Sequence, residues 1–152
     1  ESIHVVTSPG PADALHYPNP ETGLEGKFSL EYTVASAVAR EHVGVEAFED
    51  GAVADPDVQR VRERVEWEID DSLEYNDTTV EMRMETGDGV YTRVQDVPPG
   101  DPSNPLSDAE LEAKFRRCAS RVLDEDVVDR THEQLDSLRS VDDIGSIVSS
   151  ED

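Results

Sequence analysis

Hydrophobic and polar positions change period several times along the chain, and each change marks an element. Ser2 to Thr7 (SIHVVT) is rich in β-branched residues and alternates, which predicts a strand. Pro9-Gly10-Pro11 stops it. Residues 8–26 read as loop, with prolines at 9, 11, 18 and 20. From Phe28 to about Arg40, apolar and small residues fall on nearly every side, which predicts a helix buried all round. Val45 to Glu49 predicts a short helical turn. Asp55-Pro56 opens the next helix, because Asp caps an N-terminus well and Pro suits a first turn. Val58, Val61 and Val65 then recur at the spacing of one buried helix face.

From Val65 the pattern switches to period two, so Val65 to Asp70 reads as a strand. Val80, Met82 and Met84 alternate with Glu81, Arg83 and Glu85; Thr86-Gly87-Asp88-Gly89 turns the chain, and Val90 to Val97 runs back. This is a β-hairpin with one wet and one buried face. Arg83 and Arg93 are expected to make cross-strand pairs on the wet face, worth at most about 1 kcal/mol. Pro98-Pro99-Gly100 ends the sheet region. Ser107-Asp108-Ala109-Glu110 is a capping box, and the stripe behind it is Leu111, Phe115, Cys118 and Val122. A last helix carries Val128, Thr131, Leu135 and Leu138, and the tail from Ser140 is expected to fray. The order predicts an α+β fold: a small antiparallel sheet of about four strands covered by helices on one face. Residues 1–125 are read as the main α+β unit and 126–152 as its C-terminal helix and tail.

Charge changes the picture of the surface. Asp and Glu number 36 against 13 Lys and Arg, for a net charge of -23 over 152 residues. The acids are spread along the chain with apolar periodicity between them, unlike a disordered acidic tail. A wholly acidic surface poor in lysine suits a high-salt cytoplasm, where the screening length falls to roughly 3 Å at 1 M. Nucleic-acid binding is excluded, since it needs a basic footprint. No apolar run approaches membrane-spanning length, and no signal or transit pattern is present, so the chain reads as a soluble, cytoplasmic protein. It begins at Glu1 rather than Met, and is expected to be a piece of a longer protein. The single cysteine, Cys118, excludes a disulfide framework and is expected to be a buried small hydrophobe.

Chemistry-bearing residues are sparse. The chain has no GxSxG, HExxH, P-loop or GxGxxG. His4, His42 and His132 are scattered, stand at no metal-ligand spacing and read as structural or solvated. His16 differs, because it lies in the proline-rich loop beside Tyr17 and near Asn19 and Lys27. Imidazole, phenol, amide and ammonium together can bind a carboxylate or move a proton; the bland alternative is a loop that merely caps the following helix. Tyr32 sits in an otherwise apolar helix. Its hydroxyl either bonds a backbone carbonyl in the core or donates to a substrate oxygen at the end of a cleft. The chain's two lysines, Lys27 and Lys114, each stand one residue before a phenylalanine. Lys114 reads as a solvated helix residue.

Two stretches carry a resemblance. Asn19-Pro20 through Lys27-Phe28-Ser29-Leu30-Glu31-Tyr32, and Asp101-Pro102-Ser103-Asn104-Pro105-Leu106-Ser107 followed by Lys114-Phe115, resemble the MmgE/PrpD family, which includes 2-methylcitrate dehydratase. The resemblance covers roughly residues 1 to 120, in order. It implies the lid-type C-terminal α+β domain, set over a larger helical N-terminal domain that this chain lacks, with the active site in the cleft between them. It implies lyase chemistry on a small carboxylic acid, without a cofactor or metal, in a homodimer. Tyr32 would then be the catalytic contribution of this chain, with Lys27, His16 and Asn19 as substrate-binding residues; the family's other acid/base residues would lie upstream. The alternative is a non-catalytic α+β ligand-binding or interaction module, because the chain holds no complete catalytic set.

Overall fold

A computed structural model describes residues 1–40, 42–142 and 144–148. The chain divides into two compact units, Glu1–Pro98 and Pro99–Asp152.

The first unit is α+β. Its four strands are β1 (Ser2–Thr7), β2 (Val65–Ile69), β3 (Val80–Thr86) and β4 (Gly89–Gln95), in the spatial order β2-β1-β3-β4. β1 pairs antiparallel with β3, and β3 with β4, but β1 and β2 run parallel. The sheet is therefore mixed, where an antiparallel one was expected. The cause lies in the connection: a parallel pair needs a long crossover, and the helical stretch between β1 and β2 supplies it.

Alternation on β1 sets the faces. Ile3, Val5 and Thr7 are buried while the residues between them are half-covered. Ile3 and Val5 join Leu30 and Val65 in a core completed by Val34, Val61, Met82 and Met84. Burying valines such as Val5 stabilises by about 1.5–3 kcal/mol each. The indole N–H of Trp67 donates to Thr7 Oγ1 at 2.8 Å, which satisfies a buried hydroxyl on the same face.

Four helices belong to the crossover: α1 (Gly23–Lys27), α2 (Leu30–Arg40), α3 (Asp50–Val53) and α4 (Pro56–Arg62). The loop expected over 8–26 holds both a 3-10 turn at Gly10–Asp13 and α1. α2 starts at Leu30 rather than Phe28, because the Ser29 hydroxyl accepts from the Tyr32 N–H at 3.1 Å. It is not buried all round: Leu30, Tyr32, Ala35 and Ser36 are buried, but Ala37, Val38 and Ala39 are exposed. Val45–Phe48 forms the expected turn as a 3-10 element. Tyr32, Ala35, Val53 and Val58 make a second core cluster between these helices.

The two arginines expected to pair across the hairpin do not. Arg83 pairs with Glu85 on its own strand, and Arg93 reaches Gln95 Oε1 at 3.4 Å. The register explains it. Arg83 stands opposite Thr92 and Arg93 opposite Met82, so the two arginines lie on opposite faces.

The second unit holds α5 (Asp108–Ala119), α6 (Glu125–Asp136) and a short α7 (Gly145–Val148). The capping box forms: Ser107 Oγ accepts from the Glu110 N–H, and the Glu110 carboxylate accepts from the Ser107 N–H at 2.8 Å. Phe115 lies 5.8 Å from the His132 ring, and Arg116 joins Glu112 to Asp129. Cys118 is exposed, against expectation. Val128 on α6 is 3% exposed and Phe115 is half-buried, whereas Leu111 and Val122 of the α5 stripe stay exposed with Cys118. The tail expected to fray from Ser140 instead holds a 3-10 turn at Leu138–Ser140 and α7, and its last residues, 149–152, lie outside the described residues. No helix among the described residues is long and apolar enough to cross a membrane.

Candidate functional site

The first family-like stretch is largely architecture. Thr22 caps α1, its hydroxyl accepting from the Glu25 N–H at 3.3 Å. Gly23 packs against the chain at Phe48, where a Cβ would fall 1.8 Å from the Phe48 carbonyl oxygen. The Gly23 N–H donates to Asp50 Oδ1 at 2.7 Å. A Cβ on Gly26 would meet the Tyr32 ring at 3.1 Å. The two glycines thus press α1 onto the 3-10 turn on one side and onto Tyr32 on the other. What remains on the open side is Leu24, Lys27 and Phe28, all exposed.

That open side borders a groove of about 480 Å³. Its walls include His16, Tyr17, Leu24 and Phe28, with Asp13, Thr22 and Glu25 at its polar margin. The Tyr17 N–H donates to the Phe28 carbonyl at 3.1 Å, which ties the loop to the end of α1. The His16 and Tyr17 rings stand 4.8 Å apart. Both acids of the margin already accept hydrogen bonds: Asp13 from the Tyr75 hydroxyl and Glu25 from the Glu21 N–H at 2.7 Å. The bond from Tyr75 holds that phenol's pKa above its ordinary value. Among the described residues, nothing forms a hydrogen bond or ion pair with the His16 imidazole or the Lys27 ammonium. The groove therefore offers apolar walls with an imidazole in them, and a cation next in sequence to the Phe28 wall. This arrangement can seat a small acid with an apolar body. It does not by itself make a pair of groups for proton abstraction and return.

The four residues singled out in the sequence do not converge. His16, Asn19 and Lys27 are exposed, and only His16 lines the groove. Asn19 is engaged elsewhere, its Oδ1 accepting from Arg62 at 2.7 Å. Tyr32 is 0% exposed, and its hydroxyl donates to the Ala47 carbonyl oxygen. Of its two readings, the observed bond is that of a core tyrosine; no atom of it reaches the groove surface. Among the described residues no group of His, Cys, Asp and Glu is placed to hold a metal ion.

Arg62 is the residue that sequence reasoning missed. Its guanidinium donates to the Pro18 carbonyl at 2.8 Å as well as to Asn19, so α4 holds the loop that carries His16. Nothing in the run of alternating arginines at 60, 62 and 64 singled it out. The second family-like stretch is also structural. Gly100, at φ +96°, and Asn104 close a turn, with the Gly100 N–H donating to the Asn104 carbonyl at 2.8 Å. Asp101 accepts from Ser103, and this bond lowers the Asp101 pKa. Lys114 is exposed on α5.

Comparison with curated proteins finds no match to the chain. The family comparison does: the MmgE/PrpD C-terminal domain matches residues 1–140, which takes in both stretches, the whole first unit and most of the second. The chain belongs to the MmgE/PrpD family, as its C-terminal domain.

Proposed function

We propose that this domain forms one wall of the active-site cleft of a lyase acting on a small carboxylic acid, 2-methylcitrate or a relative of it. The opposite wall would come from a helical domain outside this chain, and the reaction would need no cofactor. The observation that carries the proposal is the groove at His16, Tyr17, Leu24 and Phe28, whose two acids are engaged while its imidazole is not. On a surface of net charge -23 an anionic substrate is repelled at long range, so local donors must capture it. His16 and Lys27 are the donors assigned to that task. Tyr32 is assigned an indirect role: through Ala47 and Gly26 it fixes the position of α1 and thus of the groove wall. Asn19 likewise acts by anchoring the loop to Arg62. These assignments predict a kinetic split in the full-length protein. His16→Ala and Lys27→Ala should raise KM about tenfold or more with a smaller change in kcat. Unchanged KM in both variants would remove the groove from the substrate site.

A second reading rests on a different observation. Leu24 is 67% exposed and Phe28 41% exposed, more apolar surface than an acid-binding wall needs. A non-catalytic module would use it to hold a ligand or partner unaided. Calorimetry of the 152-residue chain against citrate-like acids separates the two. Micromolar binding by this chain alone favours the module, whereas a half-site binds weakly until the helical domain is added.

A further inference from the structure

β4 is an edge of the sheet, and it is uncovered on both sides: Val90, Tyr91 and Val94 are 56%, 58% and 51% exposed. An exposed apolar edge strand is a template for pairing with another chain. The hairpin decides which of its backbone groups are free. Thr86 pairs with Gly89 across the two-residue loop Gly87-Asp88, and a pair closing such a loop exchanges both backbone bonds. Counting by twos, Tyr91, Arg93 and Gln95 turn their backbone groups toward β3. Val90, Thr92 and Val94 turn theirs to the open edge, where no described residue meets them.

The strand is also self-complementary about its centre. In Val90-Tyr91-Thr92-Arg93-Val94, reversal exchanges valine with valine and tyrosine with arginine. A two-fold interface demands that property, since residue i meets j and j meets i. We propose that β4 pairs antiparallel with β4 of a second copy, about a two-fold axis through Thr92. Thr92 then faces its own copy, and Val90 faces the second copy's Val94, in the positions whose backbone groups point outward. Tyr91 faces the second copy's Arg93 at the closer, non-hydrogen-bonded positions, where a guanidinium can lie over a phenol ring. Arg93's contact to Gln95 is long and exposed, so it yields readily.

Charge favours this seam over the rest of the surface. Residues 89–95 carry one charged side chain, Arg93, in a chain of net charge -23. Two copies meet there with the least repulsion. The seam is shorter than a standard interface, so association depends on concentration and strengthens with salt.

The register makes the test specific. In a Cys118→Ser background, Thr92→Cys places two thiols on the axis with Cα atoms about 5.5 Å apart, within disulfide reach. Val90→Cys and Val94→Cys place each thiol roughly 13 Å from its own counterpart. Mild oxidation of the 152-residue chain in concentrated KCl should therefore give a covalent dimer at Thr92 at least tenfold faster than at Val90 or Val94. Cross-linking at equal rates at the three positions, or none at Thr92, overturns the proposal.

Discussion

The hydroxyl of Tyr32 donates to the carbonyl oxygen of Ala47, 15 positions along the chain, with both residues fully buried. This bond ties α2 to the 3-10 turn that faces α1. Tyr32→Phe keeps the ring and removes the donor, leaving a buried carbonyl without a partner. The expected cost is about 1–3 kcal/mol, read as a lower urea midpoint with an unchanged slope. A variant as stable as the parent would mean that Ala47 finds another donor. In the full-length protein, a positioning role predicts that KM and stability change together, whereas a direct catalytic role predicts loss of kcat in a stably folded variant.

Gly23 and Gly26 should respond unequally to alanine. At Gly23 the added methyl meets backbone, the Phe48 carbonyl at 1.8 Å, and cannot be accommodated without moving the turn. At Gly26 it meets the Tyr32 ring at 3.1 Å and Val53 at 3.2 Å, which need yield only by a few tenths of an ångström. Overpacking of the milder kind costs about 1–3 kcal/mol. Gly23→Ala should exceed Gly26→Ala in denaturant unfolding, and the reverse order would refute the packing described for α1.

The phenol of Tyr75 should titrate above its ordinary value of 10.0, because its hydroxyl donates to the Asp13 carboxylate. The folded-state pKa is raised, so any stability from this contact is present below the unfolded value and lost as pH rises through the folded one. Ultraviolet difference titration follows the four tyrosines together, and the step lost in Tyr75→Phe is that of Tyr75. Asp13→Asn should bring that step down. A titration that is the same in both proteins would show that the contact does not hold in solution.

At the other end of the scale, Glu110 has its pKa lowered from 4.5 by the Ser107 side chain and then by its backbone N–H. A depressed carboxylate stabilises above its unfolded pKa, and this contribution disappears as pH falls through the folded value. Helicity of the second unit should therefore decline below about pH 4.5 in the parent. Glu110→Gln should flatten that step and Ser107→Ala should lower helicity at neutral pH. Circular dichroism against pH is the measurement.

Most elements were legible from period alone. β1, α4, the β3–β4 hairpin and α5 each carry an uninterrupted pattern with its own punctuation, such as Asp55-Pro56 or the Ser107 capping box. What escaped was decided by neighbours. The direction of β2 depends on its crossover, not on VEWEI. The exposure of Ala37 to Ala39 and of Cys118 is set by tertiary packing that their own helix patterns do not encode. At the candidate site, the stretch from Glu21 to Tyr32 was recognisable as special, but the reason was not. Gly23 and Gly26 matter for the absence of a side chain, and that shows only once Phe48 and Tyr32 are placed beside them. Tyr32's two readings could not be separated before its acceptor, Ala47, was known; Ala47 offers no side-chain polarity to notice.

The hold of Arg62 on the loop before α1 has a consequence in brine. In concentrated salt, ion pairs at the surface fade. Arg62 instead grips two neutral oxygens, the Pro18 carbonyl and the Asn19 amide. Counterions compete poorly for such acceptors. The fastening of the His16 loop thus outlasts salt that would dissolve an ion pair, and a rise in ionic strength does not loosen the groove.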